Sequence, residues 1–276
     1  MESLKPKNIQ VGVGLRHTHF PYLEQGIDPK VDFFEAISEN FMNTRGRPFT
    51  MLLKMRAIRP IALHGVSLSI AGPELPNLDY LKSLKELHQI IDPFITSDHL
   101  CWTGGSAHNL HNLLPFAYTK DSLSMVCERV NYVQDFLGRP LTLENVSAYF
   151  SLKSSTMGEV EFLSTLCERT GAKTLFDLNN IYVNSVNQKY DASEYVRSIK
   201  KEHVSQIHLA GFSDMGSYLF DTHSREVSNE VWGLLALARE QGVNAPILIE
   251  WDEHIPEFSV LEHEASKARQ VMMEGM

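Results

Sequence analysis

Histidines, carboxylates and carboxamides recur in short clusters between residues 64 and 252. They stand as His64-Gly65, Asp98-His99, Glu144-Asn145, Asp177-x-Asn179-Asn180, His208, Asp221-x-His223 and Glu250-Trp251-Asp252. Taken singly, each is an ordinary turn former or helix cap. Taken together, they are a set of metal ligands without thiolate. Imidazole and carboxylate donors suit iron, manganese, zinc or cobalt better than they suit a cysteine-rich structural zinc. Several carboxylates brought into one small volume repel one another unless cations neutralise them or some take up protons. So many ligands exceed what one ion needs, and about two or three ions are expected.

Something must bring these residues together, and the sequence supplies it. Each cluster lies at or just beyond the end of a short apolar run. Eight such runs are present: 9–15, 33–37, 61–63, 94–97, 141–143, 174–176, 205–209 and 247–249. They lack clean polar/apolar alternation, as parallel strands buried on both faces do. Amphipathic stretches separate them. In 79–91 the apolar residues at 80, 81, 84, 87, 90 and 91 share one face of a helix, and 121–137 repeats the pattern. Thr156-x-x-Glu159 reads as a capping box and Asp191-x-x-Glu194 as a second N-terminal signal. Residues 229–241 end at Gly242, a C′ residue, and 257–273 follow the last run. The pattern predicts an α/β protein, a (β/α)8 barrel forming one domain over residues 1–276, with an open doubly wound sheet as the competing architecture. In such a barrel the C-terminal ends of strands three to eight ring one mouth.

The 276 residues carry 25 Lys+Arg against 34 Asp+Glu, a net charge of −9, with 43% hydrophobic residues. That composition folds, and it excludes long disorder. The acidic balance argues against nucleic acid as a partner. Cys101, Cys127 and Cys167 are odd in number and form no CxxC pair, which fits a reducing compartment. The N-terminus shows no apolar signal segment, and no run reaches the roughly 18 residues that span a membrane. A cytoplasmic, membrane-free protein is expected.

Ten strings carry a resemblance: GVGLRHTHF (12–20), EAISENFM (35–42), LHGVSLSI (63–70), SDHLCWTGG (97–105), NLLPFAYT (112–119), LENVSAY (143–149), FDLNNIYVN (176–184), IHLAGF (207–212), DTHSREV (221–227) and LIEWDEHIPEF (248–258). In order and over nearly the whole chain, they resemble the multinuclear non-heme iron-dependent oxidative enzymes of the xylose-isomerase-like barrel superfamily. These include the methanobactin oxazolone/thioamide-forming enzyme. The resemblance implies two or three irons and dioxygen as co-substrate. It also implies a cysteine-containing precursor peptide as substrate and a small leader-binding protein as partner. By the same resemblance His64 and His99 bind one iron with Glu144. Glu144 bridges to a second iron held by Asp177, His208 and Glu250. Asn180, Asp221 and His223 form a third site, and Asp252 is a candidate for proton transfer. The chain departs from the family pattern at His17 and in FAYT, neither of which is a proposed ligand. The chemistry is coherent: His and carboxylate ligands leave iron positions open for dioxygen or a thiolate, and metal binding deprotonates a thiol.

Two other readings use the same residues: a metal-dependent isomerase or phosphodiesterase of this superfamily, and a non-enzymatic peptide-binding module with structural metals. Gly12-x-Gly14 lacks the third glycine of a dinucleotide fingerprint and is read as a tight turn. The three thiols are read as buried and inert, and Trp251 as packing outward between barrel and helices. The long crossover holding His108 and His111 is expected to cap the site, and Tyr182 and Asn184 are candidates to line a substrate groove.

Overall fold

The computed structural model describes residues 9–105 and 108–274. Eight parallel strands close on themselves: β1 (Val11–Gly14), β2 (Phe34–Ile37), β3 (Ile61–Gly65), β4 (Ile95–His99), β5 (Thr142–Glu144), β6 (Lys173–Asp177), β7 (Val204–Leu209) and β8 (Ile247–Ile249). Neighbours in sequence are neighbours in the sheet, and β8 returns to β1 with Val11 beside Ile247. All eight apolar runs are strands, and the ring is closed rather than open.

The amphipathic stretches surround it as α1 (Phe20–Leu23), α2 (Arg47–Arg56), α3 (Leu78–Ile91), α4 (Lys120–Leu137), α5 (Glu159–Thr170), α6 (Leu178–Gln188), α7 (Ala192–Ser198), α8 (Asn229–Glu240) and α9 (Phe258–Met273). The first crossover is a single turn, α1, and the sixth carries two helices. Asp191 caps α7 by accepting from the Ser193 N–H, and Gly242 follows α8 at φ +79°. The Thr156–Glu159 capping box does not form. Helix α5 starts at Glu159 behind Gly158, with no side-chain cap. The Glu159 carboxylate is drawn inward instead, accepting from the Tyr118 hydroxyl at 2.7 Å and the Tyr195 hydroxyl at 2.9 Å. The Thr156 N–H that a capping box would use is itself taken by the Tyr118 carbonyl at 2.9 Å.

Strand parity sorts the residues. Val11, Val13, Phe34, Ala36, Ile61, Leu63, Phe176, Ile207, Leu209, Ile247 and Ile249 share one cluster with the inner faces of the helices. Their alternate neighbours face the barrel axis. At the lower level of that interior Phe33, Ala62 and Leu248 pack with Ile95. A Cβ on Gly12 would lie 2.6 Å from the Phe33 ring, so this glycine makes room for the plug and is no part of a phosphate loop. Two residues further along the same strands the inward positions are Glu35, His64, Ser97 and Glu250, joined by Gln206 and His208 of β7. The apolar plug is therefore the floor of a polar chamber. The crossover from β4 to β5 forms an antiparallel hairpin, Trp102–Gly105 against His108–Leu114. Among the described residues no helix is long and apolar enough to cross a membrane. The residues that were read for a signal segment lie outside those described.

Candidate metal centre

The strand ends meet as expected. His64 (β3), His99 (β4) and Glu144 (β5) form one group whose ligand atoms lie within 4.8 Å of one another. Glu144, Asp177 (β6), His208 (β7) and Glu250 (just past β8) form a second, and His223, Glu250 and Asp252 a third. Glu144 is common to the first two groups, and Glu250 to the last two. Ligands about 2.0–2.2 Å from an ion sit roughly 3–4 Å from each other, so these spacings fit bound cations. In the first group Nε2 of His64 and of His99 approach Glu144 Oε2 at 3.3 and 3.4 Å. In the second, His208 Nδ1 lies 3.1 Å from Glu250 Oε2 and 4.0 Å from Asp177 Oδ2. His64 Nε2, Glu144 Oε2, Asp177 Oδ2 and Asn180 Oδ1 are all buried there without a hydrogen bond. Such orphaned groups are costly, and a cation among them would satisfy several at once.

Each imidazole is turned so that one nitrogen faces the centre. His99 Nδ1 donates to the Gly65 carbonyl at 3.0 Å, which leaves the Nε2 lone pair pointing inward. His64 Nδ1 lies 2.8 Å from Ser97 Oγ, whose own hydroxyl points to the Leu63 carbonyl. His208 Nε2 faces Glu35 Oε2 at 3.2 Å, and Gln206 Nε2 donates to the same oxygen at 2.6 Å. This is the outer support that metal-binding histidines need. The carboxylates are held likewise. Asp177 caps α6, accepting from the Asn180 N–H through Oδ1, which leaves Oδ2 to the centre. Asn180 Nδ2 donates to Glu144 Oε1 at 3.2 Å. Asn145 exchanges two hydrogen bonds of 3.0 Å with the Asp177 backbone and ties β5 to β6.

Without cations, charge is shared by protons. Burial pushes Asp177 up to about 7 and Glu144 well above the usual carboxylate range, the latter reinforced by Asp177 and Glu250. Burial lowers His99 to about 4 and His64 well below the ordinary histidine value. Burial also opposes charge on His208 and His223. The carboxylates of Glu35 and Glu250 around the first, and of Asp221 and Glu250 around the second, outweigh it and hold both well above that value. Glu250, burial notwithstanding, is held well below its range by His223 and His208.

The third set gathers around the ring of His223, with Asp252 beside the expected residues. His223 Nε2 lies 2.7 Å from Asp221 Oδ1, and its Nδ1 faces Asp252 Oδ2 at 3.0 Å and Glu250 Oε2 at 3.4 Å. Asp221 and Asp252 thus sit on opposite sides of one ring, while Asn180 attends Glu144. All three expected residues line the same cavity of about 210 Å³ with His64, His99, Glu144, Glu250 and Asp252. Asp177 and His208 lie beneath it, fully buried.

Two residues of this site were not anticipated. Glu35 lies inside β2, two positions before its end; a lone carboxylate in the apolar string Phe33-Phe34-Glu35-Ala36-Ile37 is the signal that marks it. Arg16 follows β1 and is the cation in an otherwise acidic lining, pairing with Asp252 and donating to the Trp251 carbonyl at 3.2 Å. Asp98, by contrast, faces away from the chamber toward Leu68 N and the Tyr80 hydroxyl.

The remaining expectations divide. All three cysteines are buried, and burial raises the Cys101 thiol strongly. Trp251 joins the outer core. The hairpin in the long crossover reaches the cavity through Leu113. His111 is exposed, and the side chain of His108 lies outside the described residues. Tyr182 packs on Phe212, while Asn184 lines a neighbouring cavity.

A closed (β/α)8 barrel with imidazoles and carboxylates gathered at its strand ends is the fold seen in xylose-isomerase-like TIM-barrel proteins. Solved structures of that class superpose over the chain. D-psicose 3-epimerase from Clostridium cellulolyticum gives a TM-score of 0.60 at 12% identity, covering 96% of this chain and 98% of its own. Endonuclease IV from Thermus thermophilus gives 0.62 at 14%, covering 97% and 100%. Identities this low speak for the fold alone. Within the class, the chain belongs to the family of RiPP precursor modification enzymes MbnB/TglH/ChrH, whose pattern it matches over residues 10–273. Relatives include a UPF0276 protein of Caulobacter vibrioides, 43% identical over 258 residues (94% of this chain, 92% of the relative). Another, from Anaeromyxobacter, is 43% identical over 260 residues.

Proposed function

We propose that this chain is a multinuclear non-heme iron enzyme that uses dioxygen to oxidise cysteine in a ribosomally made precursor peptide. The observation that carries the reading is the pair of shared carboxylates, Glu144 and Glu250, which join three ligand groups into one centre. A structural site would use about four ligands and leave no open position; this one has more donors than that and opens onto a cavity. His64, His99 and Glu144 would hold one iron, and Glu144, Asp177, His208 and Glu250 a second. Asn180, Asp221 and His223, which share the cavity wall with Nε2 of His223 turned to Asp221, would hold a third. Iron bound there supplies the one-electron chemistry with dioxygen that amino-acid side chains lack.

The chain's own residues do the rest. Glu35 and Gln206 orient His208, Asn180 orients Glu144, and the plug of Phe33, Ala62 and Leu248 closes the chamber to water from below. Asp252, 40% exposed and paired with Arg16 and His223, stands where a proton leaving a substrate thiol could be received. A separate small protein presents the precursor's leader. The isomerase and phosphodiesterase readings use the same residues but find support in the comparisons only as fold likeness.

The test is metal content after anaerobic purification. About two to three irons per chain are expected, together with dioxygen uptake in the presence of peptide and partner. A chain that binds a single zinc, or consumes no oxygen with iron loaded, would overturn the proposal.

A further inference from the structure

A second cavity of about 430 Å³ lies beside the metal chamber, and three separate segments of chain run from one into the other. In the hairpin, Leu113 lines the chamber and Pro115 and Phe116 line the neighbour. After β5, Ser147 lines the chamber and Ala148 the neighbour. On α6, Asn180 lines the chamber and Asn184 the neighbour. The offset on α6 is four residues, about 6 Å at 1.5 Å per residue. Residues adjacent in the chain or one helical turn apart line the two spaces, which sets the cavities side by side. Beside Phe150 of the lining, Tyr149 stacks on Phe220 at 5.7 Å, and its hydroxyl accepts from the Asp221 N–H. Tyr149, Phe150, Tyr218 and Phe220 are all exposed.

Several polar side chains of this lining are already engaged. Asn184 accepts from Ala148 N and donates to the Val146 carbonyl, and Gln188 donates to the Ala148 carbonyl. Both oxygens of Glu159 accept from tyrosine hydroxyls. What remains to a ligand is mostly the apolar surface of residues such as Phe116, Leu152, Met157 and Val160. Such a site rewards an apolar group and penalises a polar one, whose lost hydration it does not replace.

Building on the proposed function, we propose that this cavity is a specificity subsite. It receives an apolar side chain of the precursor peptide about two residues from the one held at the metals. That spacing follows from the roughly 6 Å offset and the ~3.3 Å rise of an extended chain.

Disulfide tethering on the full-length protein tests this without metal turnover. The native thiols are buried, so S147C places one reactive thiol at the boundary between the cavities. The probes are the tripeptides Cys-Gly-Xaa and Xaa-Gly-Cys, equilibrated in a thiol/disulfide buffer, with Xaa as Leu, Phe, Gly or Asp. Leu or Phe should raise the mixed-disulfide equilibrium constant at least about tenfold over Gly or Asp in one of the two orders. Filling the cavity with A148W, or with M157W if the first variant unfolds by circular dichroism, should abolish the preference. Equal constants in both orders, or a preference that survives filling, would refute the subsite. A filling-sensitive preference in a protein that proves poor in iron would support the subsite and count against the iron chemistry, so the two proposals fail separately.

Discussion

Glu35 has no place in the three ligand groups, yet its Oε2 fixes the ring of His208 and is itself held by Gln206. Replacing it by glutamine exchanges a charged acceptor for a weaker amide oxygen, for which the Gln206 amide competes with the His208 Nε2–H, and loosens the ring. Glu35→Gln is therefore expected to fold and to weaken metal binding at the Asp177–His208–Glu250 group by about 10–100-fold, measured by competition with a chelator. The proton sharing described above sets a pH dependence for the metal-free protein. Asp177 titrates at about 7 when folded, against about 3.9 unfolded. The native state therefore holds the extra proton, and its stabilising effect, complete below the unfolded value, is gone once pH passes 7. His208, His223 and Glu144, all raised, act in the same direction. His99, lowered to about 4, and His64, also lowered, act oppositely; their unfolded forms are half protonated at about pH 6.5, so this opposing effect fades by roughly pH 7.5 while the raised groups still act. The melting temperature of the metal-free protein should fall between pH 6.5 and 8. A divalent cation, which prefers the deprotonated ligands, should reverse that slope. A metal-free melting temperature that rises over this interval would contradict the assignment.

At the scale of elements, the chamber depends on how loops pack behind the strands. Gly211 follows β7, and a Cβ there would lie 2.4 Å from the carbonyl oxygens of Arg225 and Glu226. Backbone cannot swing aside as a side chain can, and the displaced segment begins two residues past His223. Gly211→Ala is expected to cost about 1–3 kcal/mol in urea unfolding and to weaken metal binding at His223. The strands themselves were legible because burial on both faces makes them short apolar runs, and their polar terminal residues marked the mouth. Parity was the part left unread. His99 faces the chamber and Asp98 does not, because adjacent strand residues point to opposite sides. Applying the same rule to β2 would have brought Glu35 into the site. The hairpin Trp102–Gly105/His108–Leu114 escaped notice because its strands are rich in Gly, Asn and His, poor strand formers whose pairing is decided by tertiary context. Glu159 misled for a related reason: a local capping pattern gave way to distant tyrosines.

The whole molecule combines a widely used barrel with an acidic surface. Its neighbours by fold include an endonuclease, yet a net charge of −9 offers no general attraction for a phosphate backbone. No retention of duplex DNA is expected in a gel-shift assay at physiological salt, and a salt-sensitive shift would reopen the phosphodiesterase reading. An enzyme that attacks sulfur is a hazard to its own chain, and here the hazard is close: Cys101 is two residues from His99. That thiol is fully enclosed, and its ionisation is suppressed by burial and by the nearby charges of Asp98 and Glu144. It is thus withheld both as a nucleophile and as a ligand. Confinement of this residue makes the catalyst immune to the reaction proposed for it, so all three native thiols should still titrate as free after many turnovers.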